Sequence, residues 1–86
     1  MNINRLIAIV KNKLEAEIVI QYLKIEDKSF LHKNHRSHQK GKFHLKLIIN
    51  SKELAKLSKI VSTKRIYSVL DMELKEHIHS IQILLN

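Results

Sequence analysis

The chain has 86 residues and a formal charge of +8, with sixteen Lys and Arg against eight Asp and Glu. This length allows a single small domain. Cysteine and proline are absent and glycine occurs once, which excludes disulfides, thiolate metal sites and Gly-rich phosphate loops. The longest apolar run, residues 6–10, is too short for a membrane span or a signal-peptide core. We therefore expect a cytoplasmic protein with no membrane partner.

The first third of the chain predicts a strand followed by a helix. Within residues 5–10, apolar side chains occupy both odd- and even-numbered positions, which is typical of a strand buried on both faces. From residue 13 to about residue 27 the period changes, and Leu14, Ile18, Tyr22 and Ile25 form one stripe of a helix. The β-branched run at residues 18–20 would also tolerate a strand.

The middle of the chain predicts two strands joined by a polar loop. Residues 29–34 indicate a weak strand anchored by Phe30, and residues 35–42 contain the single glycine, Gly41, which favours a hairpin turn. Apolar residues then alternate with His44 and Lys46 over residues 43–49, the pattern of a half-buried strand.

The last third predicts a helix, a strand and an ambiguous tail. Asn50 is a good N-cap with Glu53 three residues later, and an apolar stripe continues to about residue 63. Residues 66–74 alternate as a strand does. The tail from His77 to Leu85 fits either a short strand or a helical turn. We expect one domain over residues 1–76 and a C-terminal extension over residues 77–86.

The predicted element order is strand, helix, strand, strand, helix, strand. With right-handed crossovers, this order gives an α+β ferredoxin-like βαββαβ plait, a four-stranded antiparallel sheet with two helices on one face. A core this small is marginal on its own, so we expect the domain to self-associate as a homodimer or to bind another protein domain. Ile48 and Val69 are the apolar positions that such an interface would bury.

Positive charge is concentrated in one segment. Residues 28–52 hold seven basic residues and no acid, whereas the rest of the chain has a net charge of +1. A basic hairpin beside a sheet could bind RNA phosphates or another polyanion, or could simply be a solvated surface. The candidate contact residues are Lys33, Arg36, Lys40, Lys42 and Lys46.

The six histidines do not predict a metal site. His32, His35 and His38 have helical spacing in a segment that we interpret as strand and loop. His77 and His79 would share one face of a strand, but two imidazoles cannot close a zinc site. We therefore expect surface histidines, no metal and no cofactor. The acids near Asp71 have no base or nucleophile arranged beside them, so we expect no catalytic site and no enzyme.

Several short runs resemble those of ACT-type regulatory domains over about residues 4–74. The runs are Leu6-Ile7-Ala8-Ile9-Val10, Leu14-Glu15-Ala16-Glu17-Ile18, Lys40-Gly41-Lys42-Phe43, Leu47-Ile48-Ile49-Asn50-Ser51-Lys52-Glu53-Leu54 and Ile66-Tyr67-Ser68-Val69. They are most similar to the C-terminal ACT domains of RelA/SpoT stringent-response proteins. The run Lys40-Gly41-Lys42-Phe43-His44 is also similar to a hairpin of the small YbeD-like ferredoxin-like proteins.

The resemblance implies a non-catalytic regulatory or protein-interaction module. The first predicted loop, residues 11–14, lacks the glycine with which ACT domains usually approach an amino acid, and the small-molecule ligand stays undefined. The alternative hypothesis is a small basic protein that binds RNA or the ribosome through the hairpin within residues 28–52.

Overall fold

The computed structural model describes residues 1–29 and 42–86. The described residues form four helices and three strands. In chain order these are α1 (Ile3–Glu17), β1 (Tyr22–Asp27), β2 (Phe43–Asn50), α2 (Lys52–Ala55), α3 (Lys59–Val69), α4 (Asp71–Glu76) and β3 (Ile78–Leu85). No helix within these two ranges is long and apolar enough to cross a bilayer.

The three strands form one mixed sheet in the order β1-β2-β3. The central strand β2 is antiparallel to β1, with Leu23 opposite Ile49, and parallel to β3, with Leu47 opposite Ile83. Parallel pairing requires a crossover connection, and α2, α3 and α4 provide it. The predicted four-stranded antiparallel plait is therefore wrong, since two of its four strands, residues 5–10 and 66–74, are helical.

Helix α1 replaces the predicted first strand. Leu6, Val10 and Leu14 recur every four residues and are completely buried, so they form the apolar stripe that α1 packs against the sheet. The Asn2 side chain caps the helix by accepting a hydrogen bond from the Arg5 amide at 2.8 Å. The apolar pattern of residues 5–10 alone fits both the two-residue period of a strand and the 3.6-residue period of a helix. Only its continuation to Leu14 shows that the helical period applies.

The predicted first helix is likewise replaced in its second half by β1. The helix ends at Glu17, and Ile18 follows in extended conformation at the C-cap. The β-branched run at residues 18–20 therefore leads into a strand, which agrees with the lower helix propensity of such residues. Leu23 and Ile25 of β1 pack against the core.

Two serine caps divide the predicted second helix into α2 and α3. Ser51, rather than Asn50, is the N-cap of α2: its hydroxyl accepts from the Leu54 amide and donates to the Val19 carbonyl at 2.7 Å. Ser58 caps α3 by accepting from the Val61 amide at 3.2 Å. The buried Ser62 hydroxyl donates to the Leu54 carbonyl at 3.0 Å and thereby connects the two helices.

Residues 66–74 form the end of α3 and most of α4 instead of a strand. Ile66 and Leu70 are completely buried, and Leu74 packs against the same core at the next helical position. Their spacing of four residues fits the strand period as well as the helix period, because four is also a multiple of two. This ambiguity explains the wrong prediction.

The core lies between the sheet and the helices, which cover one face of it. Leu45, Leu47 and Ile49 point from β2 into this core and are at most 2% exposed. We call the other face of the sheet the open face. On that face Lys46 and Ile48 of β2 are half-buried, and Tyr22 and Leu84 are 53% and 45% exposed.

Because the helices cover one face of the sheet and the other face is open, shortening a side chain to alanine should destabilise the fold more on the covered face. We expect Leu47→Ala to lower the free energy of unfolding by about 3 kcal/mol, because it leaves a cavity beneath the central strand. The matched control, Leu84→Ala on the open face, should cost less than about 1 kcal/mol. Urea denaturation of both variants measures the difference, and equal costs would contradict the assignment of the core face.

One ion pair joins α1 to α4. The Lys13 ammonium lies 2.7 Å from the Glu73 carboxylate, whose side chain is 9% exposed while that of Lys13 is 40% exposed. We expect Lys13→Met to destabilise the fold by about 1–2 kcal/mol, because Glu73 then lacks its partner in a largely buried position. The double variant Lys13→Met/Glu73→Leu should recover most of that loss in chemical denaturation. An equally unstable double variant would show that packing rather than charge was lost.

Candidate nucleic-acid interface

The two chain segments that flank residues 30–41 meet at one end of the sheet, which we call the loop end. Here β1 ends and both β2 and β3 begin. The Lys28 amide donates to the His44 carbonyl at 2.7 Å, and the His44 amide donates to the Ser29 hydroxyl at 3.1 Å. Lys42 extends along α4, where its ammonium donates to the Lys75 carbonyl at 3.4 Å. The chain on either side of residues 30–41 is thus held firmly to the sheet.

Only part of the predicted polyanion site can be located. Lys33, Arg36 and Lys40 lie outside the described residues. Lys42 lies just before β2, and Lys46 is half-buried on the open face opposite Glu26. Glu26 itself lies 3.5 Å from Lys28. The loop end therefore presents Lys42 and Lys46 beside a weakly paired Lys28.

His44 is a structural residue and not a surface histidine. It is 4% exposed, its Nδ1 lies 2.6 Å from the Ser80 hydroxyl, and its ring packs 4.9 Å from that of His79 at an angle of 55°. The prediction of a surface histidine is therefore wrong for His44, because the β2–β3 pairing places Ser80 and His79 over it. His77 ends α4 rather than sharing a strand face with His79. His32, His35 and His38 are not among the described residues.

The described ranges hold no group of three or more His, Cys, Asp or Glu side chains arranged to bind a metal ion. A closed zinc site requires four ligands and a catalytic one requires three. The contact between His44 and His79 therefore does not by itself make a metal site.

A second group of cations lies on the crossover, and the sequence reasoning missed it. We call it the α2–α3 basic surface, made of Lys52, Lys56, Lys59 and Lys64. All four side chains are exposed, and none is in an ion pair with another described residue. The neighbouring Arg65 is different, because it lies 2.8 Å from Glu53 and donates to the Glu17 carbonyl.

The geometry of the α2–α3 basic surface is that of two helices separated by a three-residue turn, residues 56–58. Helix α3 presents Ile60, Lys64 and Tyr67 on its outward face, and the first of these is 69% exposed. A helix with an exposed face next to unpaired lysines is the kind of element that enters the major groove of DNA. The signal in the sequence was a net charge of +4 over residues 52–65.

The two residues expected to mediate self-association lie in different places. Ile48 is on the open face of the sheet, opposite Leu84 of β3. Val69 is near the end of α3, where it packs against the core and lines a groove with Lys13 and Glu17 of α1. The fold does not bring these two residues into one patch.

Comparison with known proteins identifies relatives of this chain. The family model described as BolA-like protein matches residues 14–86. The DNA-binding transcriptional regulator BolA of Haemophilus influenzae is 31% identical over 75 residues, which cover 87% of this chain and 70% of that protein.

Comparison with solved structures also finds BolA proteins. The BolA domain of SufE1 from Arabidopsis thaliana superposes with a TM-score of 0.79 at 27% identity, over 100% of this chain and 93% of that one. BolA1 from the same plant has the same fold, with a TM-score of 0.77 at 24% identity over 91% of this chain and 86% of that one.

These relatives confirm that the protein is not an enzyme, because BolA-like proteins are regulatory. They also show that the resemblance to ACT domains and to YbeD-like proteins is wrong. The runs that suggested it are short, and those at residues 6–10 and 66–69 are helical here. The matched family model, the regulator from Haemophilus influenzae and the three-stranded fold agree with one another: the chain belongs to the BolA-like family.

Proposed function

We propose that the protein is a non-catalytic regulator that binds duplex DNA through the α2–α3 basic surface. The observation that carries this proposal is the set of four exposed lysines without ion-pair partners among the described residues, arranged around a helix–turn–helix. The DNA-binding regulator from Haemophilus influenzae supports it. A cytoplasmic location is part of the same proposal.

The described surface favours duplex DNA over single-stranded RNA. Proteins that read single-stranded RNA stack its bases on aromatic side chains of an open sheet. Among the described residues of the open face, Tyr22 stands at the end of the edge strand β1 and His79 packs on the buried His44 at the other end, so these aromatic side chains form no continuous stacking platform. Helix α3, in contrast, has eleven residues and is about 16 Å long. The diameter of an α-helix with its side chains, about 10–12 Å, fits a major groove about 12 Å wide.

The loop end is proposed to supply additional phosphate contacts. Lys33, Arg36, Lys40, Lys42 and Lys46 are the residues assigned to it. The loop end and the α2–α3 basic surface lie at opposite ends of β2, which spans about 23 Å for seven residue steps. A duplex lying along the molecule, whose longest extent is 39 Å, could contact both. The RNA or ribosome alternative would use the loop end alone.

Removing two lysines of the α2–α3 basic surface tests the main proposal. We expect Lys59→Ala/Lys64→Ala to weaken binding to a duplex at least tenfold, and to reduce the slope of log affinity against log salt by about 2, since each phosphate contact contributes about 0.9. Fluorescence anisotropy over a salt series measures both quantities. The matched control, Lys11→Ala/Lys24→Ala, removes the same charge from α1 and β1 and should change affinity less than threefold.

The same titration separates the alternatives. If the control pair weakens binding as much as the α2–α3 pair, the interaction follows net charge and the proposed surface is wrong. If single-stranded RNA binds more tightly than duplex DNA and only Lys40→Glu/Lys42→Glu weakens it, the loop-end alternative replaces the proposal. Circular dichroism of each variant checks that the fold is retained.

A further inference from the structure

The two edges of the sheet differ in charge. The edge strand β1 carries Lys24, Glu26 and Asp27 among its six residues. The opposite edge strand β3 has eight residues and contains no Lys, Arg, Asp, Glu or Pro. Natural sheets usually protect a long edge with such residues, because an unprotected edge pairs with another strand. Only the β1 edge is protected in this way.

The backbone of β3 is oriented for further pairing. The Asn86 amide donates to the Ile49 carbonyl at 2.9 Å, so even-numbered positions bond toward β2. In a parallel ladder the intervening residues direct their N–H and C=O groups the other way. Ile81, Ile83 and Leu85 therefore direct theirs to the outer side of β3, where the described part of the chain places no further strand.

Apolar side chains along this edge are only partly covered. Ile81, Ile83 and Leu85 are half-buried on the helix-covered face, and Leu84 is 45% exposed on the open face. A cavity of about 310 Å³ separates the α2–α3 turn from the end of β3 and is lined by Leu54, Leu57, Ile83 and Leu85, among others. A strand added at this edge would cover these side chains and reach the cavity.

We propose that a second copy of this chain pairs antiparallel along β3, with the two-fold axis at Gln82, to form a six-stranded sheet. In this register Ile81 lies opposite Ile83 of the second copy, and both residues direct their backbone groups to the shared edge. About four backbone hydrogen bonds form at the centre. The Gln82 side chains meet on the open face, where each amide can donate to and accept from the other.

Charge favours a second copy at β3 over one at β1. Each chain carries +8, so association must avoid placing like charges opposite each other. Pairing along β3 brings no formally charged side chain of the strand itself to the interface, and the nearest cation on the open face is Lys46 of β2, beside Gln82. The register also matches helix-covered face with helix-covered face and open face with open face, which makes the edge complementary to itself.

The absence of cysteine from the chain permits a direct test of the register. At the two-fold axis the Gln82 Cα atoms would be about 4.5 Å apart, within the range of a disulfide. Under mild oxidation we expect Gln82→Cys to form a disulfide-linked dimer. The matched control, Leu84→Cys, lies on the same face of the same strand, but its two copies would be about 13 Å apart. It should not cross-link above background.

Sedimentation over a concentration series tests the dimer without a cross-link. We expect the wild-type chain to dimerise in the micromolar range and Gln82→Lys to raise the dimer dissociation constant at least tenfold, because it places two ammonium groups face to face. Asn12→Lys adds the same charge on α1 and should raise it less than threefold. A wild-type monomer at several hundred micromolar, or equal cross-linking of the two cysteine variants, would overturn the proposal.

The salt dependence separates this inference from DNA binding. Salt should strengthen the dimer, because it screens repulsion between two +8 chains, and should weaken DNA binding, because it opposes counterion release. Lys64→Ala removes a lysine of the α2–α3 basic surface that does not line the cavity at the end of β3, so it should weaken DNA binding and leave the dimer intact. If the wild-type chain dimerises but does not bind duplex DNA, the proposed function is wrong. If it binds DNA but stays monomeric, the proposed dimer is wrong.

Discussion

The pairing of β2 on both sides is the constraint on which the rest of the fold depends. Its side chains at Leu45, Leu47 and Ile49 form the floor of the core, and its backbone bonds join β1 and β3 in opposite directions. Because β3 must run parallel to β2, the chain has to cross the sheet between them, and the helices α2, α3 and α4 are that crossing. The same crossing carries the unpaired lysines to the surface.

Sequence analysis was most successful for elements in which the spacing of apolar residues fits only one type of secondary structure. The alternation of apolar residues over 43–49, which only Ile48 interrupts, predicted β2 correctly. Residues 5–10 and 66–74 fit two periods, and the choice between them depends on packing partners far along the chain. Leu6 and Leu70 become helical core residues only because β2 offers them one shared face. Local pattern cannot show that, so the number of strands and the family were both wrong.

The candidate site, like the fold, could be predicted from the sequence only in part. Counting charges along the chain located the basic segment at residues 28–52, but it treated the rest as nearly neutral. In the folded chain Glu53, Asp71 and Glu73 each lie beside a cation. Their pairing leaves the lysines of the α2–α3 basic surface uncompensated. Net charge is a property of the sequence, whereas the free charge at a surface depends on which ions the fold pairs.

The serine contacts at the α2–α3 junction link backbone geometry to recognition. Ser51 joins the start of α2 to the Val19 carbonyl, and the Ser62 hydroxyl joins α3 to the Leu54 carbonyl of α2. Together with the core packing of Ile66 and the contacts of Arg65, two small hydroxyl groups that would touch no ligand therefore fix the direction in which α3 presents Ile60 and Lys64. A family member that replaced either serine could redirect the recognition helix while keeping every lysine, so changes in target preference could arise from uncharged, buried positions.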